Sequence, residues 1–278
     1  MTITNKKTIL ITGCSTGIGL CVAKGLQQRG YRVFATARKK NDVNTLNEMG
    51  LESLHLDLTD SLSIQNAIKE ILKRTNGTLY ALFNNGAYAQ PGAIEDLSTE
   101  ALRQQFETNV FGWHELTNFV LPIMLNQGYG RIIQNSSILG FISLKFRGAY
   151  VASKYAIEGL SDTLRQELMG TNVYVSLVEP GPIESQFRKN SFEMYKENIK
   201  KESSRFKSDY VATEKRLTTV GPAVPFTLPP EAVLKKVIHA LESNKPKPRY
   251  YVTFPTYLFG YLKRILSTNI MDKLLNKV

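Results

Sequence analysis

The stretch Thr12-Gly13-Cys14-Ser15-Thr16-Gly17-Ile18-Gly19 follows the apolar run Thr8-Ile9-Leu10-Ile11 and leads directly into a helix-length segment, Gly17–Gln28. Glycines placed this way let a chain leave a strand through a tight turn and bring bare backbone close to whatever lies above it. The helix that follows turns its unpaired N–H groups and the positive end of its dipole toward the same place, which suits a phosphate or pyrophosphate. A glycine cluster alone also marks ordinary strand-to-helix turns, so its weight comes from its position at the first βα junction.

Outward from that junction the same rhythm repeats. Short β-rich runs at Arg32–Thr36, Ser53–Leu56, Tyr80–Phe83, Arg131–Asn135, Tyr174–Val178 and Arg249–Thr253 alternate with helical segments at Leu62–Arg74, Thr99–Leu125, Tyr150–Met169 and Pro230–Ser243. Alternation of this kind predicts an α/β fold: one Rossmann-type doubly wound parallel sheet of about seven strands, helices on both faces, and a ligand crevice at the carboxyl ends of the strands. The 278 residues fit one domain, 1–278, with a sizeable core. From Pro182 to about Leu228 the strand rhythm stops. The chain there is polar and lysine-rich with scattered aromatics, Phe187, Phe192, Tyr195, Phe206 and Tyr210. An interruption of roughly 45 residues is too long for a plain loop, so residues 186–228 are expected to carry helices and to form a substrate lid.

Composition narrows the function. The formal charge of +11 divides unevenly, with 17 basic against 16 acidic side chains in residues 1–185 and 18 against 8 in residues 186–278. That places the basicity in the last third, and no nucleic-acid partner is expected. The two cysteines, Cys14 and Cys21, form no CxxC pair, and His55, His114 and His239 are isolated in sequence, so neither disulfide nor metal is expected. The chain enters its first strand within a few residues of Met1, which implies no leader and a cytoplasmic location. The uncharged stretch Tyr250–Leu262 contains Pro255 and is too short for the ~20 residues that span a bilayer.

In the segment 254–278, Leu258, Leu262, Ile265 and Leu266, then Ile270, Leu274 and Leu275, recur at helical spacing beside Lys263, Arg264, Lys273 and Lys277. An amphipathic helix packed over the crevice or against a second subunit is the expectation. Weak peripheral contact with a membrane is the alternative.

Two further motifs carry chemistry. The end of the second strand reads Ala35-Thr36-Ala37-Arg38-Lys39-Lys40, with no acidic residue between Tyr31 and Asn41. An acid there would bind the ribose hydroxyls of NAD, whereas arginine accommodates a 2′-phosphate, so Arg38 points to NADP(H). Tyr150-Val151-Ala152-Ser153-Lys154 lies on a predicted helix, after Asn135-Ser136-Ser137 at a strand end. Spacing of i and i+4 sets the phenol and the ammonium on one helix face, where the cation favours phenolate.

Taken together, these residues resemble the short-chain dehydrogenase/reductases over nearly the whole chain: a TGxxxGIG pattern, a serine thirteen residues before YxxxK, and a Pro-Gly after the next strand. The resemblance implies that Ser137, Tyr150 and Lys154 are catalytic and that Asn109 completes a tetrad. It implies cofactor contacts at Gly13, Ser15, Thr16, Gly17, Ile18 and Gly19, at Asp57 and Leu58 beside the adenine, and at Asn84 and Gly86 on the cofactor floor. Tyr150 and Lys154 also face the cofactor, as do Pro180, Gly181, Ile183 and Ser185 beside the nicotinamide and pyrophosphate.

Two departures stand out. The floor motif reads Asn84-Asn85-Gly86-Ala87 where the family has NNAG, and no basic residue lies within the glycine loop. Within the family the sequence is similar to the branch of 17β-hydroxysteroid and retinol dehydrogenases and its bacterial aldehyde and ketone reductases. The function implied is NADP(H)-dependent interconversion of a carbonyl and an alcohol on a bulky apolar substrate, such as a steroid, retinoid or long-chain aldehyde, by a homodimer or homotetramer. A non-catalytic NADP-binding sensor or a peripheral membrane protein on the same fold is the alternative.

Overall fold

The computed structural model describes residues 6–277 and forms seven strands: β1 (Thr8–Ile11), β2 (Arg32–Ala37), β3 (Glu52–His55), β4 (Ala81–Asn84), β5 (Gly130–Asn135), β6 (Val173–Glu179) and β7 (Arg249–Tyr251). All pair in parallel, in the order β3-β2-β1-β4-β5-β6-β7. The chain winds outward from β1 in one direction and from β4 in the other. A crevice therefore opens between their carboxyl ends, where Ile11 pairs with both Ala35 and Phe83.

Side chains alternate across the sheet. Ile9 and Ile11 point into one core, which α1 (Gly17–Gln28), α2 (Lys40–Glu48) and α9 (Glu231–Glu242) cover through Val22, Leu46, Val233 and Val237. Leu10 and Phe34 point into the other core, which α3 (Ser61–Arg74), α5 (Gly112–Gln127) and α6 (Gly148–Glu167) cover through Ile64, Trp113 and Ile157. Each fully buried aliphatic side chain contributes about 1.5–3 kcal/mol, so the two cores together fix the sheet.

Helix α2 has no counterpart in the sequence reading, because Leu46 is its only buried residue and the rest of its surface is polar. The expected helix Thr99–Leu125 is divided into α4 (Thr99–Phe106) and α5 by a π-helical turn, Glu107–Phe111, that buries Asn109 and Val110. Such turns insert a residue and redirect side chains, commonly at functional positions.

Residues 186–228 contain α7 (Phe187–Asn198) and α8 (Lys207–Thr218). Tyr195, Ile199, Tyr210 and Leu217 pack there with Ala93 in a small core of their own. The Tyr210 hydroxyl accepts from the Ala93 N–H at 2.9 Å and donates to Asp96, which ties the segment to the β4 side. At the chain end, α10 (Phe254–Ile265) and α11 (Thr268–Leu275) pack Phe259, Leu262, Leu266 and Met271 on Leu139, Ile142 and Val151, over the crevice. Among the described residues no helix is long and apolar enough to cross a membrane.

Candidate active site

The glycine loop is held by backbone. The Cys14 N–H donates to the Thr36 carbonyl at 2.8 Å, and Thr12 N–H to that of Phe83 at 3.1 Å, so the loop is anchored to strands on both sides. Gly13 has φ +68°, and a Cβ there would stand 2.5 Å from the Gly86 Cα. Gly19 packs a Cβ-sized space against the Gly13 carbonyl. These approaches leave a bare backbone floor above which a flat or charged group can lie. Helix α1 begins there with no side-chain cap on its first N–H groups, which stay open to an anion. The donor set fits a dinucleotide pyrophosphate.

Beside the loop, Asn85 donates to the Thr12 carbonyl at 2.9 Å and to the Gly13 carbonyl at 3.2 Å, and accepts from Asn135 at 2.8 Å. Its neighbour Asn84 faces the opposite side of the sheet, where its amide donates to Thr117 Oγ1 at 3.1 Å. The sequence reading places the floor contact at Asn84; successive residues at a strand end face opposite ways, and the Asn85 side chain is the one turned toward the glycine loop and the cavity.

A second set gathers at the end of β5 and on α6. Ser137 follows the strand, and its Oγ accepts from the Leu139 N–H at 3.1 Å. Tyr150 and Lys154 stand one turn apart on α6, as the spacing predicts. Lys154 is 1% exposed, and its ammonium donates to the Asn135 carbonyl at 2.7 Å. Burial pushes the Lys154 pKa down to about 7, with Glu158 opposing the shift. Burial also raises the Tyr150 phenol above its usual range, while Ser137 and the Arg147 charge oppose it. The phenol is therefore protonated at neutral pH and able to donate.

Asn109 lies outside the cavity wall. From the π turn its amide donates to the Tyr88 carbonyl at 2.9 Å and to Ser153 Oγ at 3.2 Å, next to Lys154 in the chain.

One cavity of about 980 Å³ joins these parts. Its wall includes Gly13, Ser15 through Gly19, Gly86, Ser137, Tyr150 and Lys154, together with Pro180, Gly181, Ile183 and Ser185. Arg38, Asp57, Leu58 and Asn84 are not on that wall. Arg38 and Asp57 follow β2 and β3, on the outer side of the glycine loop, with Arg38 exposed and Asp57 accepting from Thr59. Leu58 is buried beneath Gly86 and Gly112. An extended ligand reaching from Arg38 to Tyr150 would cross β2, β1, β4 and β5.

Several neighbours of the site escaped the sequence reading: Asn85, Asn135, Trp113 beneath Lys154, and Arg147, Arg188 and Arg216 on the cavity wall. Trp113 carried a signal as the single tryptophan of the chain. Arg147 carried one by standing a helical turn before Tyr150.

The histidines stand apart from the cavity, each with a local partner: His55 with Ser63, His114 with Asn118, His239 with Tyr250. Burial raises the Cys14 thiol to about 12 and the Cys21 thiol to about 11, which keeps both protonated.

A family model described as short chain dehydrogenase matches residues 7–196. An uncharacterized oxidoreductase of Escherichia coli, YbbO, is 43% identical over 97% of this chain and 94% of its own. An NADPH-dependent 3-dehydrocapnine reductase of Ornithobacterium rhinotracheale is 32% identical over 96% of this chain and 95% of its own. The crystal structure of a short-chain dehydrogenase from Streptomyces avermitilis superposes with a TM-score of 0.76 at 26% identity, covering 95% of this chain and 94% of the other. With the parallel sheet and the glycine loop already in place, these matches establish that the chain belongs to the short-chain dehydrogenase family of oxidoreductases, which work between carbonyl and alcohol.

Proposed function

We propose that this chain is an NADP(H)-dependent reductase of bulky, largely apolar aldehydes or ketones. The observation that carries the reading is the placement of Ser137, Tyr150 and Lys154 on one wall of the cavity that also contains the glycine loop. NADPH supplies the hydride. Tyr150 gives its phenolic proton to the carbonyl oxygen as charge develops there, and Ser137 hydrogen-bonds that oxygen. Lys154 supplies positive charge to the phenolate left behind. Asn109 is a positioning residue, holding Ser153 and through it the helix turn that carries Lys154.

Gly13, Ser185 and the open N-terminus of α1 would hold the pyrophosphate, with Asn84 and Gly86 on the cofactor floor, Asp57 and Leu58 toward the adenine and Ile183 toward the nicotinamide end. NADP rather than NAD is favoured by exposed Arg38 at the end of β2, with no acid in that segment, and by the NADPH dependence of the 3-dehydrocapnine reductase relative. Helices α7 and α8 act as the lid, and the apolar wall from Ile142, Leu144, Phe187, Leu217 and Phe259 favours bulk.

Tyr150→Phe keeps the ring and its edge contact with Phe187, 5.5 Å between centroids, but removes the transferable proton. NADPH binding, read by fluorescence, should survive in that variant while turnover falls by at least ~100-fold. Near-normal turnover in the folded variant would remove the mechanism.

Two assembly readings accompany this. Phe111, Phe119 and Leu125 near α5, with Tyr155 and Leu160 on α6, are exposed, which supports pairing of those helices in a homodimer or homotetramer. A monomer by light scattering at micromolar concentration counts against it. On α10, exposed Tyr257, Leu258, Tyr261 and Ile265 beside Lys263 and Arg264 support a peripheral contact with an anionic bilayer, tested by vesicle sedimentation with and without residues 256–278.

A further inference from the structure

Three arginines share the cavity wall with Tyr150: Arg147, Arg188 and Arg216. Arg147 immediately precedes α6, three residues before the phenol. Arg188 is on α7 and Arg216 on α8. All three are half-buried. Among the described residues none of them forms an ion pair, in contrast to Arg29, Arg32, Arg165, Arg205 and Arg249. Arg188 is instead held by neutral acceptors, donating to the carbonyls of Arg216 at 3.2 Å and Thr219 at 3.1 Å and to that of Gly221. Among the described residues the single acidic side chain on the wall, Glu184, is exposed.

The charges act on one another. Burial, and then Arg216, pushes Arg147 down to about 9, while Tyr150 opposes the shift. Burial, and then Arg188, lowers Arg216 in turn. Like charges gathered in a half-buried wall, with no ion-pair partner among the described residues, disfavour the empty site and attract an anion. Apolar surface from Ile142, Leu144, Leu217 and Phe259 continues from the cluster.

We propose that the substrate carries an oxyanion group, a carboxylate, sulfonate or phosphate, a few bonds from the carbonyl to be reduced, with Arg147 and Arg216 receiving that group, Arg188 holding the end of α8 that carries Arg216, and the apolar wall taking the tail. The inference rests on the reductase reading and narrows its substrate class. The anionic group is not altered in the reaction; only the carbonyl gains hydride and proton.

Two measurements separate this inference from the reading beneath it. In the first, NADPH-dependent turnover is compared for a long-chain γ-keto acid and its methyl ester. A charge-assisted contact predicts a kcat/KM roughly 10- to 100-fold higher for the acid, chiefly through KM. Arg216→Gln brings the ratio toward one, and Arg216→Lys restores part of it. Equal use of acid and ester by the wild type overturns the proposal while leaving the reductase intact.

The second uses ligands with no carbonyl, dodecylphosphonate and dodecanol, with binding measured by calorimetry. The wild type should bind the phosphonate more tightly and lose that margin in Arg216→Gln, with NADPH affinity unchanged. Tight phosphonate binding in a protein that reduces neither keto compound would overturn the reductase reading but support the anion site. No preference for the phosphonate, or an equal loss of NADPH affinity in Arg216→Gln, overturns the anion site, the latter by assigning the arginines to the cofactor.

Discussion

The Lys154 ammonium lies 4.2 Å from the centroid of the Trp113 ring. An indole face and a backbone carbonyl are its immediate partners, and neither fully replaces the water lost on burial, so the charged form is disfavoured. The residue proposed to supply positive charge to Tyr150 therefore sits where charge is costly, a conflict between stability and activity typical of functional sites.

That conflict has a measurable sign. The folded pKa of Lys154 is about 7 against an ordinary 10.5, so between those values the unfolded chain binds more protons and the fold loses stability as pH drops. Lys154→Met removes this dependence. Relative to wild type, the variant should gain stability as pH falls from about 10 to about 7 and level off below, while turnover is lost. Thermal melts across that range check it, and a pH-independent difference would show that Lys154 titrates as an ordinary lysine.

Cofactor choice is expected to turn on Arg38. Replacing it with Asp would remove the proposed charge-assisted contact to the 2′-phosphate and should weaken NADPH by roughly 10- to 100-fold while improving NADH. A wild type that already prefers NADH contradicts the assignment.

Much of this is legible in the amino-acid sequence, and the physical reasons divide cleanly. Strand and helix periods, the glycines after β1 and the Tyr150–Lys154 spacing are local properties, and they place the sheet and one wall of the site. Facing and distance are not local. Asn84 and Asn85 are neighbours in sequence, and only the strand's register decides which meets the glycine loop. Arg216 reaches the cavity because α8 folds back over it, which no spacing within residues 186–228 encodes. The π turn at Asn109 was hidden because Thr99–Leu125 reads as one uninterrupted helix.

Behind the site, Arg249 bonds Glu179 at 2.7 Å and also pairs with Glu158 and Asp162, joining β7, β6 and α6. Burial, and then the nearby Glu158, hold Glu179 up at about 8 even with Arg249 present. Arg249→Met should destabilise by about 3–5 kcal/mol, since it leaves buried carboxylates unpaired. Carboxyl groups with raised folded pKa values support the fold when protonated and lose that support as pH rises. The deficit of the variant should therefore grow from pH 5 to pH 8, and chemical denaturation at both values measures it. A deficit independent of pH would mean that the carboxylates find other partners.

The two faces of the C-terminal helices should separate by substitution. Met271, 4% exposed, packs in the cluster that includes Leu139, Ile142 and Val151 and reaches the Tyr150 ring, whereas Ile265 is 76% exposed. Met271→Ala removes buried surface and leaves a void, costing about 2–5 kcal/mol. The same void loosens the wall on which an apolar tail would rest, so KM for a long-chain carbonyl should rise more than kcat falls. Ile265→Ser removes only exposed surface and should change stability by less than about 0.5 kcal/mol, with KM unaltered. Melting curves and steady-state kinetics on one substrate are sufficient. If Ile265→Ser raises KM as much as Met271→Ala does, the face turned to solvent also takes part in binding, and packing over the crevice no longer explains why the helices are there.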